Sequence, residues 1–239
     1  NGRANDSRTF SINNTDIRRF VGGGMFNRNS SPTIANTIFT GNTAKFAGGG
    51  LYNLNSSPTI TNTTFIDNSI ISTDGKGGGM FNNSSSSPII TNTTFSGNSA
   101  TDGSGMANQD NSNAVVNNTI VTGTISNDNA TPLYKNSIIA DKSYGNDGSE
   151  TTTNLTVTDL FNDPTNGDYS LNRYSPAINT GNNALYTGTL ATDKDLAGNA
   201  RVFDGFPTID VIDMGAYEFQ AEPGSQSDYF ITTWKTDNE

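Results

Sequence analysis

The chain of 239 residues contains neither cysteine nor histidine. That removes disulfide frameworks, Ser-His and Cys-His nucleophile pairs, and the His- or Cys-based zinc sites. Hydrophobic residues are scarce, at 32%, against the roughly 45–50% usual in globular domains. No run of about 18 apolar residues occurs, so no segment reads as a membrane-spanning helix. Basic residues are few, 13 against 23 acids, and they form no patch of the kind nucleic acid needs. The first residue, Asn1, and the lack of a signal-like segment suggest a processed or trimmed chain.

What fills the space is Asn, Thr, Ser and Gly, at 34, 33, 24 and 25 residues, about half of the total. Such a composition is compatible with disorder, but periodicity argues for order. Gly22-Gly23-Gly24-Met25-Phe26-Asn27 recurs at Gly48–Asn53 and Gly77–Asn82. Each copy leads to a Ser-Pro pair (Ser31-Pro32, Ser57-Pro58, Ser87-Pro88), an Ile-rich stretch and a Phe-x-x-Asn ending at Asn42, Asn68 or Asn98. A finer pattern, apolar-x-Asn-x-x-apolar, starts at Ile12, Ile34, Ile60, Ile90, Val116 and Tyr134. A repeat of this size signals a solenoid. The short Thr/Ile/Asn/Phe runs, punctuated by Gly and Pro, favour strands of about 4–6 residues over helices.

The sequence therefore predicts an all-β fold: a right-handed parallel β-helix of about six or more coils with a C-terminal cap. Like residues should stack at the strand spacing of about 4.8 Å. Phe39, Phe65 and Phe95 should form an inner aromatic ladder, and Ile34, Ile60 and Ile90 an aliphatic one. Asn36, Asn62 and Asn92 are expected to ladder through their amides, with Asn42, Asn68 and Asn98 as a second such row. Uneven spacing implies bulges at one corner, the insert Ile71–Lys76 among them.

Charge divides the chain. Residues 1–149 carry nine acids and nine bases, whereas 150–239 carry fourteen and four. This gives a β-helix over 1–149, an acidic C-terminal coil and cap over 150–221, and a linker with a strand over 222–239. In the acidic unit, Arg201 should pair with Asp213 or Glu218 and hold the cap, while Pro176-Ala177-Ile178 and Ile212/Met214/Ala216 supply its apolar layer. Asp193 and Asp195, in Asp-x-Asp-x-x-Gly-Asn, fit either a weak calcium loop or a turn built on Asx hydrogen bonds.

The paired Gly-Gly-Gly-Met-Phe-Asn and Phe-x-x-Asn signatures, over about residues 10–145, resemble those of bacterial surface β-helix proteins, including chlamydia-type polymorphic outer-membrane repeats. In the acidic unit, the ordered series Asp159-Leu-Phe161-Asn-Asp163-Pro164, Gly167-Asp168-Tyr169, Ser175–Gly181, Asp195–Arg201 and Ile212–Glu218 resembles the C-terminal segment of choice-of-anchor Q proteins. Phe230-Ile-Thr-Thr-Trp234-Lys-Thr-Asp237-Asn238 resembles the opening of BspA-like leucine-rich surface domains; otherwise it is a terminal strand pairing with the cap. Together these resemblances imply a secreted, cell-surface bacterial protein, part of a longer multidomain chain.

The functional expectation is a non-catalytic adhesin stalk or binding module whose partners are extracellular glycans or proteins. Phe26, Tyr52 and Phe81 alternate away from Met25, Leu51 and Met80, and so face outward. They could stack on sugar rings, or pack beneath a corner loop. A polysaccharide lyase or glycoside hydrolase is the alternative. Asn14-Thr15-Asp16 resembles one motif of polygalacturonases, and Asp16 with Asp67 or Asp74 could supply two carboxyls, but the other motifs of that family are absent. Ice binding is a third reading, resting on Thr61/Thr63 and Thr91/Thr93. No resident cofactor is expected beyond possible calcium.

Overall fold

A computed structural model describes residues 20–139, 157–202 and 211–220, together with the backbone of strands Arg3–Ala4, Thr9–Ile12 and Thr15–Arg18. The linker and terminal strand expected over 222–239, and the charge boundary near residue 150, lie outside the described residues. The chain winds into a parallel β-solenoid with three five-stranded sheets. Sheet 1 stacks Met25–Arg28, Leu51–Leu54, Met80–Asn83, Met106–Gln109 and Ile125–Asp128. Sheet 2 stacks Thr33–Ala35, Thr59–Thr61, Ile89–Thr91, Val115–Asn117 and Leu133–Lys135. Sheet 3 stacks Ile38–Thr40, Thr64–Ile66, Thr94–Ser96, Ile120–Val121 and Ile138–Ile139.

Five rungs make about four turns, fewer than the six coils expected. The unit starting at Ile12 is the one that fails. Thr9–Ile12 and Thr15–Arg18 pair antiparallel, with Ile12 opposite Thr15, and so form a hairpin rather than a rung.

Register runs straight through the stack. Phe39, Phe65, Phe95, Val121 and Ile139 are mutual partners, as are Ile34, Ile60, Ile90, Val116 and Tyr134. The three phenylalanine rings lie 4.7 and 4.6 Å apart and nearly parallel, and all are buried. Met25, Leu51, Met80, Met106 and Ile125 complete the thin core.

The corners explain the rest of the composition. Gly48 has φ +61, and a Cβ on Gly50 would fall 2.6 Å from the Gly79 oxygen and 3.0 Å from the Phe65 ring. Only glycine permits both the left-handed turn and that approach of one rung to the next. Between sheets 2 and 3 the corner is two residues, the first an asparagine, Asn36, Asn62, Asn92, Asn118 or Asn136, with φ between 43° and 49°. Asparagine tolerates this left-handed conformation better than other side-chain-bearing residues. The hydroxyl that follows it (Thr37, Thr63, Thr93, Thr119, Ser137) donates to the carbonyl two residues earlier. The 30-residue spacing from Ile60 to Ile90 also has a cause. The loop around Ile71–Lys76 adds three residues, and Ser84 and Ser85 are both left-handed where Asn55 alone suffices one rung earlier.

Asparagine ladders form, but one runs where it was not expected. Asn27, Asn53, Asn82, Asn108 and Asn127 join amide to amide at 2.8–2.9 Å beneath the end of sheet 1, the first four buried and Asn127 half-buried. The Asn42–Asn68–Asn98 row forms as expected, at 2.9 and 3.0 Å. The corner row, expected to be a ladder, is used mainly otherwise: Asn118 Nδ2 reaches Asn92 Oδ1 only at 3.5 Å, and Asn62, Asn92 and Asn118 bond the C-terminal segment. Replacing Asn82 with Ala leaves a buried donor on Asn53 and a buried acceptor on Asn108 without partners. It should cost about 2–4 kcal/mol, read as a lowered urea midpoint with an unchanged slope.

Candidate functional site

The described part of the acidic unit does not sit over an open end as the expected cap would; it packs along the flank of the solenoid. Leu160, Phe161, Tyr169, Leu171, Ala177 and Met214 pack on Ile66, Ile120 and Ile138, which point outward from sheet 3. A hairpin of Phe161–Asp163 with Asp168–Leu171 presents Phe161, Tyr169 and Leu171, its turn closed by Gly167 at φ +86, and Leu160 ends the short helix just before it. The outer side of sheet 3 is rich enough in apolar residues to need cover, which an open end would need equally. Ile212, Met214 and Ala216 are fully buried, as the expected apolar layer requires.

Three corner asparagines hold this segment. Asn62 Nδ2 donates to the Lys194 carbonyl at 2.9 Å, Asn92 Nδ2 to the Asp213 carbonyl at 2.8 Å, and Asn118 Nδ2 to the Asn182 carbonyl at 3.0 Å. Asn118 Oδ1 accepts from Asn182 N at 2.9 Å, and Thr94 Oγ1 accepts from Ala216 N at 3.0 Å. Successive rungs thus offer amides in line, and three separate stretches of the segment, at Lys194, Asp213 and Asn182, accept them.

Arg201 closes the segment from within. It is fully buried; its Nη2 donates to the Gly215 carbonyl at 2.7 Å, and Nη1 lies 3.9 Å from Glu218 Oε2. The pairing with Glu218 meets one of the two expected options. Asp213 instead accepts backbone N–H groups of Asn179 and Phe219, both at 2.6 Å. Burial, reinforced by the Asp213 carboxylate and opposed by Arg201, pushes Glu218 up to about 9. Burial also pushes Asp213 up to about 6, against its two backbone donors.

The calcium candidates are engaged in turns. Asp195 accepts from Asn199 N at 2.7 Å and Glu218 N at 2.9 Å. Asp193 Oδ2 accepts from Thr189 N at 2.7 Å and from the Tyr186 hydroxyl at 3.1 Å. No group of three or more acidic side chains is placed to hold a metal ion among the described residues.

Phe26, Tyr52 and Phe81 do stack in register, with ring centres 5.1 and 5.2 Å apart. They pack with Val21, Ala47 and Ala107 into a small outer cluster, leaving Tyr52 8% and Phe81 5% exposed. Their ring faces are spent on one another, and only half-buried Phe26, at the end of the stack, keeps an edge of the platform open. Burial pushes the Tyr52 hydroxyl up. Beyond this stack, Lys76 donates to Gln109 at 3.2 Å and lies 3.6 Å from both Asp102 and Asp128, bridging rungs on the surface.

The threonine pairs do not present a flat outer array. Thr63, Thr91 and Thr93 are buried, at 0–1% exposure, because the C-terminal segment crosses this edge. Asp67 and Asp74 are exposed residues of separate turns, and the Asp16 side chain lies outside the described residues.

What the sequence did not point to is a cleft where the flank segment meets the first two rungs. Ala35, Asn36, Thr61 and Asn62 form one wall, and Tyr186, Thr187, Gly188, Asp193 and Lys194 the other, around about 220 Å³. No spacing links Tyr186 to Asn62, so only the fold brings them together. Comparison with protein-family models, with curated proteins and with solved structures finds no match. The choice-of-anchor and BspA-like resemblances therefore gain no support from these comparisons.

Glu218 and Asp213 hold their protons more tightly when folded than when unfolded. Their contribution is full below about pH 4 and is lost as pH rises through about 6 and then about 9. The thermal midpoint should fall between pH 5 and pH 9, and Glu218→Gln should flatten the upper part of that profile.

Proposed function

We propose that this protein is a non-catalytic binding module of a secreted bacterial surface protein, a stiff stalk segment that engages extracellular glycans. The observation that carries this reading is the rung-to-rung bonding. Amides, four of them buried and the fifth half-buried, join all five rungs of sheet 1, and a second amide row joins three rungs at the corner after sheet 3. Bonds of this kind hold side chains at a fixed spacing over the length of the stack, as a display scaffold requires. The flank segment adds a second, irregular surface, where turns rich in Asn, Asp, Thr and Tyr meet the regular one. Such surfaces suit hydroxyl-rich ligands, which need many directional donors and acceptors.

A glycan array probed with the whole chain should show binding to a defined subset of extracellular glycans. Incubation with pectic, alginate and glycosaminoglycan substrates should release neither new reducing ends nor unsaturated products. Turnover of any of these polysaccharides overturns the non-catalytic reading.

A further inference from the structure

The cleft between the first two rungs and the flank segment has the chemistry of a small polar ligand site. Asn62 is 4% exposed, and its Oδ1, buried with the side chain, accepts no hydrogen bond from any described residue. Its Nδ2 is fixed on the Lys194 carbonyl at 2.9 Å, so the amide cannot turn to satisfy Oδ1 without losing that bond. An unmet acceptor of this kind costs about 1–3 kcal/mol and is retained where a ligand or water supplies the donor.

The surroundings define that donor. Across the cleft, Asp193 uses Oδ2 for Thr189 N and the Tyr186 hydroxyl, and no described residue donates to Oδ1. Burial, the larger effect, pushes the Tyr186 hydroxyl up. The nearby Asn62 amide opposes this and the Asp193 carboxylate reinforces it, so the phenol keeps its proton and fixes Asp193. Asn36 adds an exposed amide from the same corner row, and Lys194 an exposed ammonium. Neither side chain is bonded to a described residue. The Tyr186 ring and Ala35 give apolar wall, and Gly188 keeps it open: a Cβ there would strike the Asp193 carboxylate and the Tyr186 ring.

We propose that this cleft binds one neutral pyranose ring of a glycan. Vicinal sugar hydroxyls donate to Asp193 Oδ1 and accept from Asn36 Nδ2 and Lys194 Nζ, and a small outward shift of the wall brings the enclosed Asn62 Oδ1 within reach of one of them. The volume, about 220 Å³, is below the roughly 300–1,000 Å³ of sites for drug-sized molecules, which suits a single ring. A hard cation fits poorly, since it requires about six to eight oxygen ligands and an ammonium lies on the wall. An acidic sugar is disfavoured by Asp193, while the Asp193–Lys194 pair leaves the site close to neutral. The proposal rests on the glycan-binding reading and assigns it a place.

The test is a titration of the ¹⁵N-labelled whole chain with methyl glucoside, galactoside, mannoside and fucoside, followed by amide shifts. At least one pyranoside should shift the side-chain amides of Asn36 and Asn62 and the backbone of Gly188 and Lys194, with a Kd of about 1 mM. The double variant Asn36→Gly and Lys194→Ala should weaken that binding about tenfold or more. Glycine preserves the left-handed corner, and neither side chain holds the flank segment, so its melting profile should match the parent. Shifts elsewhere with none at this cleft overturn the site while sparing glycan binding. No shift with any pyranoside, together with an empty glycan array, removes both. Shifts at the cleft driven by calcium chloride and by no pyranoside also overturn it.

Discussion

A buried side-chain amide bonded to the same amide one rung away is the interaction on which this molecule depends. With only 32% hydrophobic residues, the core is one side chain thick and cannot supply the apolar burial of an ordinary domain. Asn27, Asn53, Asn82, Asn108 and Asn127 make up part of the difference. Each inner member both donates and accepts, so no polar atom of the row is buried at a loss. The arrangement also fixes register. A slip of one residue would turn every Phe and Ile outward and strand every amide.

The same residue type plays two other roles, and backbone conformation separates them. At the corner before sheet 3, asparagine is chosen for its left-handed φ, which frees the amide to point away from the stack. Three of these amides grip a passing backbone, and one of the three, Asn62, also leaves an acceptor in a cleft. The flank segment is thus held by a periodic row of donors, which meets separate stretches of its backbone, and by apolar cover over Ile66, Ile120 and Ile138. The buried Arg201 shapes that segment internally. Desolvation is the larger influence and lowers its pKa; the Gly215 carbonyl and the acidic groups around it, Glu218 first, offset only part of that cost.

Attaching an irregular segment to a regular rod has a functional consequence. The rod repeats, so any surface made by it alone presents the same groups several times. The flank segment meets each rung with different residues, and only at the first two does it leave Tyr186, Asp193 and Lys194 facing the corner asparagines. Periodicity supplies stiffness and the break in periodicity supplies a site.

Much of this was legible in the chain itself. The Phe-x-x-Asn and Gly-Gly-Gly repeats determined the solenoid, the phenylalanine ladder and the Asn42–Asn68–Asn98 row, because stacking at one strand spacing puts equal residues together. The partner of Arg201 was also narrowed to two acids, one of them correct. Three things were decided only in three dimensions. Antiparallel pairing of Thr9–Ile12 with Thr15–Arg18 removed the first coil, since apolar spacing marks a strand and does not say which strand it will pair with. Outward Phe26, Tyr52 and Phe81 became a packed cluster, because alternation gives a side chain's direction and not what covers it. The flank path of the acidic unit, and with it the cleft at Asn62, joins residues about 130 apart in sequence; no local propensity encodes such a contact, which exists only once both surfaces have formed.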